Sequence, residues 1–336
     1  MKIFATAPCR IDLAGGTIDI WPLYLFHTGA VTVNFAVNVY ARCILAPRKD
    51  RRISLHSKDL GVVEAFASLD RLIAARRYRL PLAARLVRFF APQEGLDLST
   101  DSESPAGAGL AGSSALMVAV AGALQRFTGS RLGKEKLRQI VQDLEAQIIR
   151  VPTGCQDYYP ALYGGVSAVE LGPGGIRRRA LAVDPGDLNE RFVLAYTGAP
   201  RASGINNWDV MKAHINGDRR VHRNFDEIAA IARAMAGALE KSDWTEAGRL
   251  LRREWAHRRR NSPGISTPLI DRLAQVARRN GALGAKACGA GGGGCIVFLV
   301  ERGAKERVSA AIECLGARVM PAGVSMSGLR VRTTSQ

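Results

Sequence analysis

The stretch Ser104–Leu116, SPAGAGLAGSSAL, constrains the chain more than any other. Small residues and glycines let its backbone pass close to a bulky ligand, and the apolar run that follows, Leu116 to Phe127, reads as a helix. The loop therefore feeds a helix N-terminus. There the N–H groups of Ala111 to Ala115 and the positive end of the helix dipole would face an anion, an effect of roughly 0.3–1 kcal/mol, or ~2 when partly buried. Phosphate is the natural guest, although many glycine-rich turns before helices bind nothing.

Two familiar phosphate loops do not fit. Gly107, Gly109 and Gly112 satisfy G-x-G-x-x-G, but Ser102 to Ala106 separate them from any preceding strand, and the next acid, Glu135, falls in another helix. Gly129 to Lys134 has one residue too few between its glycines for a Walker A loop, and Glu135 where Ser or Thr should follow. What sets the central loop apart is Ser113-Ser114 in the first helical turn, where a hydroxyl can reach a phosphate-bound magnesium ion.

At 336 residues the chain exceeds the ~250–300 at which single cores stop growing, so two domains are expected, 1–185 and 190–336, divided near Pro185-Gly186. The 47 basic residues against 30 acidic give a net charge of +17, which suits an anionic partner, either nucleic acid or phosphorylated small molecules. Much of the excess is arginine within helical stretches, where a solvated face is the ordinary explanation. Only 6% of residues are aromatic, and few neighbour the arginine runs, which argues against RNA binding. The cysteines form no C-x-x-C pair and no histidines stand at metal-ligand spacing, so reduced thiols, a cytoplasmic location and no zinc site are expected. Two uncharged windows of about twenty residues, Ile20–Ala41 and Ser104–Gln125, are too polar or too small in side chain to span a membrane.

Along the chain, Lys2–Ala7 and Arg10–Leu13 read as two short strands, Ala30–Leu45 as one long or two consecutive strands, and Ile53–His56 and Gly61–Phe66 as further strands of an antiparallel meander. Helices are expected at Ser113–Phe127 and Lys134–Ile149. Three more, about Asn206–Leu239, Trp244–Arg260 and Pro268–Asn280, precede a strand–helix–strand–strand ending that closes on Val324–Val331. The fold class is α+β.

Three separated segments combine glycines with ligand-type side chains: PCRIDLAGGTID (Pro8–Asp19), PAGAGLAGSSA (Pro105–Ala115) and GAKACGAGGGGCIVF (Gly284–Phe298). In this order and at these separations they resemble the GHMP kinase family. Within it, LLRREWAHRRRNSPGISTPLID (Leu250–Asp271) and the run Gly281–Gly294 are similar to segments of heptose 7-phosphate kinases. The resemblance implies a ribosomal S5-like N-terminal domain, a ferredoxin-like C-terminal domain, and ATP with Mg2+ as cofactors. It places ATP on Pro105, Gly107, Ala108, Gly109, Leu110, Ala111, Gly112, Ser113 and Ser114, and magnesium on Ser114 and Glu145.

The resemblance also implies that Asp157, twelve positions after Glu145, acts as base with Arg10 beside it, and that Asp19, Gly16, Thr17, Gly291, Gly292 and Arg201 hold the sugar. Read without it, Glu145 is a solvent-facing helix residue and Asp157 a cap on a helix starting near Tyr158. A sugar phosphate needs a second anion site, for which Arg201, Lys212 and Arg258 to Arg260 are candidates. The implied reaction is phosphorylation of a sugar or sugar phosphate, by preference D-glycero-D-manno-heptose 7-phosphate at C1. The alternatives are a galactokinase-like or uronic-acid kinase, a catalytically silent sugar sensor and an RNA-binding protein. The expected partners are a small-molecule substrate and, as an allowed assembly, a second copy of the chain, without nucleic acid or membrane. Motif one reads Gly15-Gly16-Thr17-Ile18-Asp19 where heptose kinases usually have G-G-G-T-D, and Gln156-Asp157-Tyr158-Tyr159 replaces Q-D-Q-Y, so the departures fall where a sugar would sit.

Overall fold

The computed structural model describes residues 1–200 and 205–334, so Arg201 lies outside the described residues. In chain order the elements are β1 (Lys2–Ala14), β2 (Val31–Pro47), β3 (Ile53–Ser57), β4 (Val62–Phe66), α1 (Leu69–Ala74), α2 (Pro81–Phe90), β5 (Leu96–Ser102), α3 (Gly112–Thr128), α4 (Lys134–Ile149), α5 (Tyr158–Tyr163), β6 (Val166–Gly172), β7 (Gly175–Ala180) and α6 (Pro185–Glu190). The second half holds β8 (Phe192–Tyr196), α7 (Ile205–Ile215), α8 (Arg219–Glu240), α9 (Trp244–Arg258), α10 (Pro268–Arg279), β9 (Ala282–Ala287), β10 (Cys295–Val300), α11 (Lys305–Glu313), β11 (Arg318–Met320) and β12 (Arg330–Thr334).

The first sheet runs β12-β1-β2-β5-β3-β4, with β6 and β7 continuing from the N-terminal end of β2. β1 is one strand rather than the two expected: Pro8 cannot donate to the ladder, and the chain absorbs this as a register shift between Pro8 and Cys9 without ending the strand. The expected meander is also corrected, because β3 pairs antiparallel with β4 but parallel with β5. Helix α3 packs on β1 and β2 and is buried on every face from Ser114 to Leu124 except at Leu116, which explains its nearly unbroken apolar sequence.

The second sheet, β11-β8-β10-β9, is antiparallel throughout. Numbered within its own domain the order is 4-1-3-2, with α11 between the third and fourth strands, which is the ferredoxin-like arrangement. Strand β9 has no counterpart among the expected elements, because GAKA offers little side chain. It is held by pairing with β10, in a register that sets Lys286 opposite Val297.

Three other expectations change. The helix expected over 206–239 breaks at Asn216–Asp218, where Gly217 adopts φ +82° and the Asp218 carboxylate accepts from the Arg220 and Val221 N–H groups to start α8. The expected linker after Val183 is itself the short helix α6, capped by Asp184. The final strand lies at 330–334 rather than 324–331, and it pairs with β1 on the edge of the first sheet, so the chain's end returns to the N-terminal layer. No helix among the described residues is long and apolar enough to cross a membrane.

Candidate active site

A cavity of ≈ 350 Å³ opens where the three glycine-bearing segments meet. Backbone bonds join them. Arg10 N–H donates to the Leu110 carbonyl at 3.0 Å, Cys295 N–H to Ala108 at 2.7 Å, and Gly289 N–H to Asp12 Oδ1 at 2.8 Å. Each motif is therefore held by another, and the cavity lies between the two sheets' layers.

Helix α3 presents its N-terminus to this cavity. Ala111 occupies the cap position in a left-handed conformation, φ +59°, and supplies no side-chain cap. Of the expected donors Ala111 to Ala115, Ala115 N–H is already bonded to the Ala111 carbonyl, and the open donors of the first turn are Gly112 to Ser114. Gly107, Ala108, Gly109, Ala111, Gly112 and Ser113 line the cavity together with Pro105. Leu110 and Ser114 do not: Leu110 is fully buried, and Ser114 stands behind Ser113.

Glu145 is buried, contrary to the solvent-facing alternative. Its Oε1 accepts from Ser113 Oγ at 2.6 Å, and its Oε2 from Ser114 Oγ at 2.8 Å and Tyr158 OH at 2.6 Å. Burial pushes the Glu145 carboxyl above the usual carboxylate range, and the three hydroxyl donors pull the other way. Tyr158 was not legible as part of this group, since a tyrosine after Gln-Asp reads as ordinary helix core.

Asp157 precedes α5 but does not cap it. Its Oδ1 instead accepts from Arg10 Nε at 2.9 Å and Nη2 at 2.6 Å, while Arg10 Nη1 donates to the Gly109 carbonyl at 2.5 Å. Burial works against the Arg10 charge, but Asp157 and Asp12 outweigh it and the guanidinium stays protonated. Asp19 lines the same cavity, with Oδ2 accepting from Gln156 N–H at 2.8 Å. Burial, with a smaller contribution from the Asp157 charge, pushes its pKa up to about 7. Gly154 makes room for it: a Cβ there would sit 2.1 Å from Asp19 Oδ2.

The remaining residues expected to hold a sugar divide. Thr17 lines the cavity, with its hydroxyl 3.2 Å from Asn207 Oδ1 and 3.1 Å from Arg258 Nη2. Gly16 lies beneath Arg258, where a Cβ would fall 2.0 Å from Nη1. Gly291 and Gly292 do not reach the cavity. They pack on the turn at Pro263–Ile265, Gly292 N–H donating to the Ile265 carbonyl at 2.8 Å, and it is Gly289 and Ala290 that line the wall. Lys212 is exposed on α7, and Arg259 pairs with Asp271 at the surface.

Of the charges behind this wall the sequence pointed to Arg258, as a candidate anion site, but not to Lys286, Asp12 or Glu254. Lys286 Nζ, fully buried, is 2.7 Å from Asp12 Oδ2 and 3.4 Å from Glu254 Oε1. Arg258 Nη1 stands 3.9 Å from Asp12 and 3.8 Å from Glu254, and Nη2 donates to the Gly289 carbonyl at 2.7 Å. Asp12, held well below the usual carboxylate range against its burial by Lys286, Arg10 and Arg258, is the hub. Nothing local marks Asp12, Glu254 and Lys286 as partners, because Lys286 lies 274 positions from Asp12 and 32 from Glu254 along the chain and only the fold brings them together.

Comparison with known proteins agrees with this geometry. Residues 76–165 match the GHMP kinases N terminal domain and residues 235–328 the GHMP kinases C terminal domain. The chain belongs to the GHMP kinase family. It is 27% identical over 316 residues to a D-glycero-alpha-D-manno-heptose 7-phosphate kinase of Campylobacter jejuni, covering 90% of each chain. It is 30% identical to a mevalonate kinase of Pyrococcus horikoshii, covering 99% of each. Among solved structures, a D-glycero-D-manno-heptose 1-phosphate kinase from Bacteriodes thetaiotaomicron superposes with a TM-score of 0.80 at 22% identity, over 99% of this chain and 100% of that one. This GHMP kinase is accordingly a phosphotransferase built on the two-domain fold of its family.

Proposed function

We propose that the protein is an ATP- and magnesium-dependent kinase that phosphorylates a hydroxyl of a sugar or sugar phosphate, with D-glycero-D-manno-heptose 7-phosphate at C1 as the preferred acceptor. The observation that carries the reading is the Arg10–Asp157 pair standing in one cavity with the uncapped N-terminus of α3. A triphosphate needs backbone donors and the positive end of a helix, which Gly107 to Ser114 supply. An alcohol must lose its proton as the phosphoryl group arrives, and Asp157 is the carboxylate to accept it. Arg10 keeps that carboxylate ionised and offsets charge developing on the transferred group.

The donor set beside α3 fits magnesium. Ser113, Ser114 and Glu145 offer only oxygen, as a hard cation requires, and the serine hydroxyls now bonded to Glu145 could turn to it. Bound there by Glu145 with a serine of the first turn, the ion would screen the phosphate oxygens. Asp19, Thr17 and Asn207 then face the acceptor, with Gly289 and Ala290 closing the opposite wall.

The heptose 7-phosphate preference rests on the Campylobacter relative and on the Leu250–Asp271 segment. A second reading, an unphosphorylated sugar, is favoured by one observation: Arg258 is the arginine at the acceptor wall besides Arg10 among the described residues, and Asp12 and Glu254 already balance it and Lys286. A panel of sugars and sugar phosphates with coupled ADP detection tests both. Turnover on heptose 7-phosphate well above free hexoses is expected. Turnover on galactose, fucose or a uronic acid alone would transfer the assignment to the second reading, and no ADP from any of them would overturn both.

A further inference from the structure

Three of the chain's five histidines meet in a second cluster, built from segments far apart in sequence. His27 follows the turn at Leu23–Phe26, His214 lies in the last turn of α7, and His222 in the first turn of α8. One ring nitrogen from each lies within 4.8 Å of those of the other two. His27 and His214 are buried, with Nε2 of one 2.8 Å from Nε2 of the other. The His214 and His222 rings stack at 3.8 Å, and Phe225 and Phe26 pack against the group.

Two of the three histidines, His27 and His222, make the hydrogen bonds of an outer coordination shell. His27 Nδ1 is 2.7 Å from Asp226 Oδ1, and His222 Nε2 is 2.9 Å from the His214 backbone carbonyl. A histidine that ligates a metal through one nitrogen ordinarily gives its other N–H to a carboxylate or a backbone carbonyl. With its Nδ1 proton directed at Asp226, His27 turns the lone pair of Nε2 toward His214. His214 must then donate from its own Nε2, which leaves its buried Nδ1 without a hydrogen-bond partner. With the His27 and His222 protons committed to Asp226 and the His214 carbonyl, one ring proton is left among three nitrogen lone pairs.

We propose that His27, His214 and His222 bind a divalent transition-metal ion of the zinc class, with water completing the coordination on the open side of His222. Zinc–nitrogen bonds of ~2.0–2.1 Å in a tetrahedral site hold their nitrogens ~3.3 Å apart, between the 2.8 Å contact and the 4.8 Å limit of the present cluster. To close the set the His214 and His222 rings, stacked with centroids 3.8 Å apart, would have to turn so that their nitrogens converge on the ion. The ion would fasten the loop after β1 to α7 and α8. Helix α7 also carries Asn207 to the cavity, seven residues or about 10 Å along its axis from His214, so the ion would brace the acceptor wall. Spacing rules applied to the sequence exclude a zinc site because they register local pairs, and His27 is 187 positions from His214.

The test uses untagged full-length protein, stripped with chelator, equilibrated with zinc chloride and desalted, with metal per chain measured by plasma mass spectrometry. About one zinc per chain is expected, together with a higher Tm on adding zinc. Cobalt(II) in its place should give the visible absorption of a tetrahedral nitrogen-ligated ion. His222→Ala, at the exposed edge of the cluster, should lower zinc affinity at least tenfold, Asp226→Asn by about 10–100-fold, and His56→Ala not at all. Wild-type protein that retains no zinc overturns the proposal whatever the variants do. So does a His222→Ala protein that binds zinc as tightly as wild type, or a His56→Ala protein that loses it equally.

Discussion

Arg10 grips one oxygen of Asp157 with two nitrogens, Nε at 2.9 Å and Nη2 at 2.6 Å, and spends its third on the Gly109 carbonyl of the phosphate loop. One guanidinium therefore fixes both the proposed base and the proposed nucleotide site. A lysine cannot copy this, because an ammonium lacks the planar fork. Arg10→Lys is expected to lower kcat by about 10²–10³-fold, the usual cost of losing a preorganised donor. Calorimetric titration should find ATP affinity within a few-fold of wild type.

With Asp19 in its proposed role at the acceptor, binding of that substrate is expected to depend on pH. The Asp19 pKa is raised to about 7 by burial, so below that pH the free enzyme holds it neutral. An ionised Asp19 accepts sugar hydroxyls better than a neutral one, and the KM for the acceptor should fall as pH rises through about 7. Stability moves in the opposite direction. The unfolded chain gives up this proton near 3.9 and the native protein only near 7, so the contribution of Asp19 is whole below about pH 4 and is lost as pH climbs to 7. Asp19→Asn should therefore leave Tm little changed near pH 4 and raise it relative to wild type above pH 7, as scanning calorimetry at several pH values would read.

Gly154 tests the same carboxylate without removing it. The methyl of Gly154→Ala would lie 2.1 Å from Asp19 Oδ2 and must displace it. Steady-state kinetics should show acceptor KM raised about tenfold or more, equivalent to ~1.4 kcal/mol, with the KM for ATP within twofold.

Lys286 supports the wall from behind. Lys286→Met removes the cation from between Asp12 and Glu254, leaving two buried carboxylates with Arg258 and Arg10 as their remaining counter-charges. Breaking a buried pair in this way costs about 3–5 kcal/mol. Urea denaturation should show the loss as a lower midpoint. A midpoint unchanged from wild type would mean that the network contributes nothing to holding Gly289 against Asp12.

How much of this was legible in the chain follows the range of the interactions. The α3 loop was readable because glycine content and a helix start are local signals, whereas Arg10, Asp19, Glu145 and Asp157 were named only through the resemblance to the GHMP kinases, the residues by themselves reading as a solvent-facing glutamate at 145 and a helix cap at 157. Lys286, Glu254 and Asp12 were not readable, since a lysine in GAKAC gives no sign that a neighbouring strand and helix will bury it beside two acids. The same limit explains Gly291 and Gly292, whose composition suited a ligand loop but whose backbone serves the turn at Ile265. It explains β12 as well, because a terminal strand does not announce which sheet it will join.

The central claim is that Asp157 takes the acceptor's proton beside the N-terminus of α3. Single-turnover phosphoryl transfer by Asp157→Asn, measured with ATP affinity on the same preparation, tests it most directly. The account predicts transfer slowed by about 10²–10⁴-fold, the range for a general base, at unchanged ATP affinity. Transfer within a few-fold of the wild-type rate would contradict it.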